Sequence, residues 1–249
     1  MKLVQKILLA CVPVAALTAC GGGDTEDRLD VADPVVRFVH AAPNAPAVTL
    51  YRNAVAQSDA TNVNYGFTSN YFDVDTNIAD WSVKTAVGAV DVGTLSIDAR
   101  RGNKYTVVAL ATSATTAGTY LIRDPYNKSL TSDSTRLRLM NASYNAANVD
   151  VYMNVPGTNI ASTTPVIAAT AFNTSGPASG SDSVDIPGGN YQVTITTAGT
   201  KTVLFRGELA FGNNRDVLIL TVPDATKPGG VGALVSVEGT MGATPIPPI

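Results

Sequence analysis

Apolar and polar residues alternate with period two along much of this chain. Val35-Val36-Arg37-Phe38-Val39 and Arg136-Leu137-Arg138-Leu139-Met140 alternate apolar with basic side chains. Val48–Tyr51, Val149–Tyr152, Tyr191–Ile195 and Lys201–Phe205 repeat the alternation with Val, Ile, Thr and Tyr. Successive side chains of a strand point to opposite faces, so this period predicts half-buried β-strands. Val107–Leu110 and Val217–Val222 are unbroken apolar runs suited to central strands. Turn signals separate these segments at Pro43-Asn44, Gly102-Asn103, Pro187-Gly188-Gly189-Asn190 and Gly212-Asn213-Asn214. Beyond the first twenty residues no apolar stripe of helical period is sustained. The pattern is all-β.

The chain also repeats itself. Arg37–Asn53 aligns with Arg138–Asn154 at an offset of 101, and seven of the seventeen pairs are identical. They are Arg37/Arg138, Ala41/Ala142, Asn44/Asn145, Ala45/Ala146, Val48/Val149, Tyr51/Tyr152 and Asn53/Asn154. Further on the offset becomes 110, with Asp75 against Asp185, Trp81 against Tyr191 and Val107 against Val217. The second copy then carries nine extra residues within the Thr/Ser/Gly/Ala-rich stretch 158–183. Two copies of about 100 residues, each with some seven short strands, fit tandem immunoglobulin-like β-sandwich domains. The expected division is a first sandwich over 35–133, a second over 134–239 and a loose C-terminal tail over 240–249.

The repeated opening, Arg37-Phe38-Val39-His40-Ala41-Ala42-Pro43-Asn44-Ala45-Pro46 followed by Val48-Thr49-Leu50-Tyr51, resembles a bacterial envelope family known as domain of unknown function 4397. Asp185-Ile186-Pro187-Gly188-Gly189-Asn190-Tyr191-Gln192-Val193 resembles a later segment of the same family. The first copy departs from that segment at Asp75–Asp80, where the Pro-Gly turn is missing. The resemblance implies export and a β-domain, and it implies no activity.

The first residues carry a different signal. Lys2 and Lys6 precede an apolar run from Ile7 to Leu17, which is the layout of a secretory signal peptide over 1–19. Pro13 interrupts the run, and about 18 apolar residues are needed to span a bilayer, so a permanent transmembrane anchor is not expected. Leu17-Thr18-Ala19-Cys20 resembles the lipobox of bacterial lipoproteins. That resemblance implies cleavage before Cys20 and lipidation of its thiol, with Gly21 favouring the outer membrane. The expected location is therefore the cell envelope, on the periplasmic or surface face. Residues 20–34 hold Gly21-Gly22-Gly23 and then five acids against the single base Arg28 with little apolar material, a composition that predicts a flexible linker.

Composition narrows the chemistry. Seventeen basic and twenty acidic residues give a net charge of −3, which supplies no electrostatic footprint for nucleic acid. Cys11 leaves with the signal peptide and Cys20 is expected to be alkylated, so no intramolecular disulfide is expected. His40 is the sole histidine, and Asn141 takes its place in the second copy. A side chain that ties down the following loop accounts for both residues, whereas a catalytic base accounts for one. Asp73-Val74-Asp75-Thr76-Asn77 begins like a calcium loop, but Ile78 and Lys84 stand where an EF-hand needs Gly and Glu. The segment reads as a polar strand edge, with weak calcium binding left open.

Tyr51 and Tyr152 recur at matched positions and are the candidate binding surface, the alternative being burial under a loop. No catalytic, metal or cofactor-binding residue is assigned, and no cofactor is expected. The resulting reading is a non-enzymatic envelope lipoprotein. Its partners would be the membrane, through the lipid on Cys20, and an envelope protein or polysaccharide. Two alternatives remain: a polysaccharide hydrolase using carboxylates such as Asp73 and Asp75, and a passive structural component.

Overall fold

The computed structural model describes residues 32–126, 132–227, 229–240 and 242–249. The expected signal peptide, Cys20 and the linker up to residue 31 lie outside the described residues, as do positions 127–131 of the expected domain boundary. The described chain is almost entirely strand and turn. The last three residues of the expected linker are folded, which corrects that boundary. Ala32 and Pro34 are buried, Asp33 pairs with Arg101 at 2.9 Å, and the Ala32 and Pro34 carbonyls accept from the Gly102 and Val74 amides.

The first half contains β1 (Val35–Ala41), β2 (Val48–Arg52), β3 (Val55–Ala56), β4 (Phe72–Asp73), β5 (Ile78–Thr85), β6 (Asp91–Asp98), β7 (Asn103–Ala111) and β8 (Ala117–Pro125). They form two sheets, ordered β3-β2-β5-β6 and β4-β1-β7-β8. Phe38, Leu50, Trp81 and Val107 fill the space between them. The second half contains β9 (Ser134–Asn141), β10 (Asn148–Asn154), β11 (Ile167–Ala171), β12 (Thr174–Gly176), β13 (Val184–Pro187), β14 (Gly189–Thr197), β15 (Val203–Phe211), β16 (Asp216–Pro223), β17 (Val231–Val237) and β18 (Thr244–Pro245). Its sheets run β11-β10-β14-β15 and β12-β9-β16-β17-β18, with β13 also on β9. Leu139, Val151, Ile195 and Ile219 form its core. In each half the opening strand pairs in parallel with a later one, β1 with β7 and β9 with β16. Both halves are immunoglobulin-like sandwiches.

A third apolar cluster joins the halves. Val39, Val108 and Leu110 of the first meet Met140, Leu218 and Leu220 of the second. Four sheets are therefore stacked, and the two inner ones are covered on both faces. This double covering explains the unbroken apolar runs. Val107 and Ala109 face their own core, while Val108 and Leu110 face the other half. It also changes the meaning of the basic residues in β1 and β9. Alternation alone puts Arg37, Arg136 and Arg138 toward solvent, whereas all three are buried at the seam.

The seam has an approximate two-fold relation. Arg37 of β1 donates to Ser236 of β17 at 3.2 Å, and Arg138 of β9 donates to Asp124 of β8 at 3.0 Å. Lys104 of β7 meets Asp216 of β16 at 3.1 Å. The ladders make these pairs correspond. Val35 lies opposite Lys104, and Arg136 lies opposite Asp216. Lys104 and Asp216 thus occupy equivalent positions and pair with each other, as one residue does with itself at an isologous dimer axis. Two copies of one residue would there bring like charges together, so divergence of the halves is what permits an ion pair.

The same ladders correct the alignment of the later strands. Phe38 faces Val107 and Leu139 faces Ile219, which sets the offset at 112 and makes Val107 correspond to Ile219. Trp81 likewise corresponds to Val193 rather than Tyr191, and Asp73 to Asp185. A shift of two preserves inside and outside in a strand, so sequence pattern could not detect it. Part of the resulting eleven-residue surplus is the loop 177–183, which lies along the edge of β8. Gly180 N–H donates to the Arg123 carbonyl at 2.7 Å, and Arg123 N–H donates to Ser179 Oγ at 2.8 Å. Unpaired edges invite association, and this loop covers one.

The C-terminal tail is not loose. β18 pairs with the β17 edge, Ile246 is 2% exposed within the second core, and the Gly242 and Ala243 amides donate to the Thr68 and Gly66 carbonyls of the first half. Its proline content signals only that it forms no interior strand. Edge pairing and one buried isoleucine are compatible with that composition.

Candidate functional site

Most residues shared by the two copies are consumed by the fold. His40 is fully buried; its Nε2 lies 3.2 Å from the Pro46 carbonyl and its Nδ1 accepts from the Ala42 amide at 3.4 Å. Asn141 does the same work with an amide. Its Nδ2 donates to the Ala146 carbonyl at 3.1 Å, and its Oδ1 accepts from the Ser143 amide at 3.3 Å. Asn44 and Asn145 also match, donating to the carbonyls of Ala114 and Gly230, each at 2.8 Å. These pairs tie loops at one end of each sandwich.

Burial holds the His40 imidazole below its ordinary range, against a smaller opposing effect of the Pro46 carbonyl. The neutral ring is thus favoured in the folded state, and the unfolded chain binds the extra proton. Stability from this group is present above about pH 6.5, the unfolded value, and is lost as pH falls through the folded value. We predict that His40→Asn, which installs the residue of the second half, flattens the stability profile between about pH 7 and 5. Urea unfolding across that range checks this. An unchanged acid slope in the variant would assign the slope to other groups.

Tyr152 is corrected as a binding platform. It is 2% exposed, with the Lys201 ammonium 4.4 Å above its ring and hydrogen-bonded to its hydroxyl at 3.1 Å. Lys201 also donates to the Thr163 carbonyl, so a loop and a lysine occupy the face that a ligand would need. Tyr51 is half-buried, with Lys84 6.0 Å from its ring centre. The structure does not bring the two tyrosines together, because they lie on the two outer sheets. Cys20 lies outside the described residues. Among the described residues no group of three or more His, Cys, Asp or Glu side chains is placed to hold a metal ion.

A polar concave surface lies elsewhere, at the end of the seam where β1 begins. A cavity of about 490 Å³ is lined from both halves, by Asp33, Tyr71, Asp73 and Lys104 on one side and Asn213, Arg215 and Glu238 on the other. A second hollow of about 370 Å³ shares Asp33 and Asp73 and continues past Arg52, Asp75 and Arg101. The two hollows adjoin at Asp33 and Asp73 and make a two-part groove across the end of the first sandwich and the seam.

The floor is a buried ion cluster. Lys104 contacts Asp216 and Glu238, and Asp124 receives Arg136 at 2.8 Å as well as Arg138. The Lys104 ammonium lies 4.0 Å from the Tyr126 ring centre and 4.9 Å from that of Tyr71. Burial alone would lower its proton affinity. The acids, Asp216 foremost, together with the two tyrosines outweigh burial and raise it well above the usual lysine range. The Tyr71 hydroxyl is pushed up, chiefly by burial. The charges of the floor are thus paired with one another.

Sequence reasoning placed Asp73 and Asp75 but missed Tyr71, Lys104, Tyr126, Arg215 and Glu238. These come from separate loops and strands, and no local motif joins them. Asp75 is engaged by Arg52 at 3.4 Å, and Arg52 also donates to Asn77 Oδ1 at 3.1 Å.

Fold and groove define a class: a tandem β-sandwich protein whose halves are fused face to face and share one polar groove. Residues 34–152, the whole first sandwich and the opening of the second, match the family described as Domain of unknown function (DUF4397). The chain is DUF4397-like over that stretch. No curated protein matches it. Among solved structures, a family 41 carbohydrate-binding module from streptococcal virulence factors is 12% identical, with 80% of this chain and 96% of that chain covered at a TM-score of 0.26. A family 26 carbohydrate-binding module of Eubacterium rectale Amy13K, in complex with maltoheptaose, is 7% identical, with 87% and 98% covered at 0.23. Neither likeness bears on a ligand.

Proposed function

We propose that this chain is a non-enzymatic lipoprotein of the cell envelope, anchored through Cys20, whose fused sandwiches act as one rigid binding module. One observation carries the reading: the groove is built jointly by both halves, beside Ala32 and Asp33, where the described chain enters the first sandwich. Eleven residues separate Cys20 from Ala32, and a stretch of that length can span at most about 40 Å. A lipid on Cys20 would thus hold the groove close to a membrane surface. The lipobox resemblance supports the anchor, and Gly21 supports the outer membrane.

The absence of an assigned catalytic group rests on chemistry rather than on emptiness. His40 is committed to its loop. Asp75 is engaged by Arg52, and the counterpart of Asp73, Asp185, lies on β13 beside β9. A carboxylate pair for glycoside hydrolysis needs one free nucleophile or base beside a protonated acid in a shared cleft.

The test is cross-linking of the native protein in intact cells, followed by affinity capture and mass spectrometry. We expect captured material to map to the groove and to diminish several-fold in Cys20→Ala, with a diacylglyceryl mass on Cys20 of the parent. An unmodified Cys20 would overturn the anchor. Capture indifferent to the groove would overturn its role.

A further inference from the structure

We infer that the groove takes an uncharged, polyhydroxylated polymer, a neutral glycan chain, held by Asp73 and Arg215. This rests on the proposed reading of the groove as the binding face and names the ligand class.

The charge pattern carries the argument. Among the described residues the lining holds four acids, Asp33, Asp73, Asp75 and Glu238, and four bases, Arg52, Arg101, Lys104 and Arg215. Three of the acids are matched to three of the bases: Asp33 to Arg101, Asp75 to Arg52 and Glu238 to Lys104. One of each sign is left over. Asp73 and Arg215 are exposed and make no ion pair among the described residues. An anionic polymer would be attracted to Arg215 and repelled by Asp73 and the other carboxylates, and a cationic one would meet the reverse. A hydroxyl group suits both, because it donates to a carboxylate and accepts from a guanidinium. A chain of sugar hydroxyls repeats that dual capacity along its length. Asn103, Asn213 and Thr76 add neutral donors and acceptors to the lining.

The shape agrees. Two adjoining hollows of about 490 and 370 Å³, both open to solvent, suit an extended chain of several rings rather than one enclosed small molecule. The paired charges on the walls already neutralise one another, which leaves Asp73 and Arg215 as the charged groups open to ligand hydroxyls.

The experiment is affinity electrophoresis of the full chain through gels containing soluble neutral glucans, galactans or mannans, beside sulfated and diethylaminoethyl derivatives of the same polymers. Asp73→Ala and Arg215→Ala are compared with Asp185→Ala, the corresponding acid of the second half, which lies outside the groove. We expect at least one neutral polymer to retard the parent more than its charged derivatives do. Each groove variant should weaken binding about tenfold or more, the loss of one hydrogen bond to a charged group, and Asp185→Ala should not. Retardation by no neutral polymer, preference for a charged derivative, or an equal loss in Asp185→Ala each overturns the inference. Cross-linked protein mapping to the groove, with no polymer retarding the chain, would remove the glycan and leave the binding module standing. Failure of both removes both.

Discussion

Replacing Lys104 by methionine is expected to destabilise the whole molecule by about 3–5 kcal/mol, the usual cost of removing one partner from a buried ion pair. For a chain of this size that corresponds to a fall in Tm of roughly 10 °C or more. The reason is the position of Lys104 at the pseudo-two-fold seam, where it meets Asp216 and Glu238. Without the ammonium, both carboxylates lose the cation they share, while Arg136 lies 3.9 Å from Asp216. Asp216→Asn should also destabilise, but by less, since Lys104 keeps Glu238 as a partner. The double variant should cost clearly less than the sum, with a coupling above about 1 kcal/mol. Urea unfolding of the four proteins gives the cycle, and additivity within about 0.5 kcal/mol would show that the pair is not coupled. The raised proton affinity of Lys104 fixes the sign of its pH dependence. Its contribution is complete below the unfolded value of about 10.4 and declines as pH rises beyond it. The parent should therefore lose stability above about pH 10.5 more steeply than Lys104→Met.

Ending the chain at Thr240 should be comparably damaging, at about 4 kcal/mol or more. Ile246 is buried in the second core, and removing such a side chain costs about 2–5 kcal/mol. The truncation also releases the hydrogen bonds to Gly66 and Thr68 and uncovers the β17 edge. An uncovered edge pairs with other chains, so the truncated protein should aggregate on heating where the parent does not. Ile246→Ala separates the two effects: it should reproduce much of the stability loss and little of the aggregation. Thermal unfolding with light scattering reads both. A truncated chain as stable as the parent would mean that the tail only rests on the surface.

Much of the fold was legible because it is local. Alternation marked the strands, turn residues marked their ends, and the seventeen-residue repeat marked two units with a surplus in the second. His40 and Asn141 were read correctly as loop ties, since one geometric task explained both residues. The errors share a cause. Strand period cannot distinguish a shift of two, so the later strands were aligned two residues away from their true counterparts. It also cannot say what covers a face, so the burial of the seam arginines left no mark in the pattern and Tyr152 stood as a candidate surface. The tail read as loose because edge pairing leaves no periodicity in two residues.

The sequence by itself determined that this chain makes two all-β units, because side-chain alternation and turn chemistry are properties of neighbouring residues. Only the tertiary structure decided that the units face each other about a pseudo-axis, pair Lys104 with Asp216, and open one groove between them. Lys104–Asp216 and Arg37–Ser236 join residues 112 and 199 positions apart, and the free energy of the seam depends on burial and charge complementarity that exist only after both sandwiches have formed.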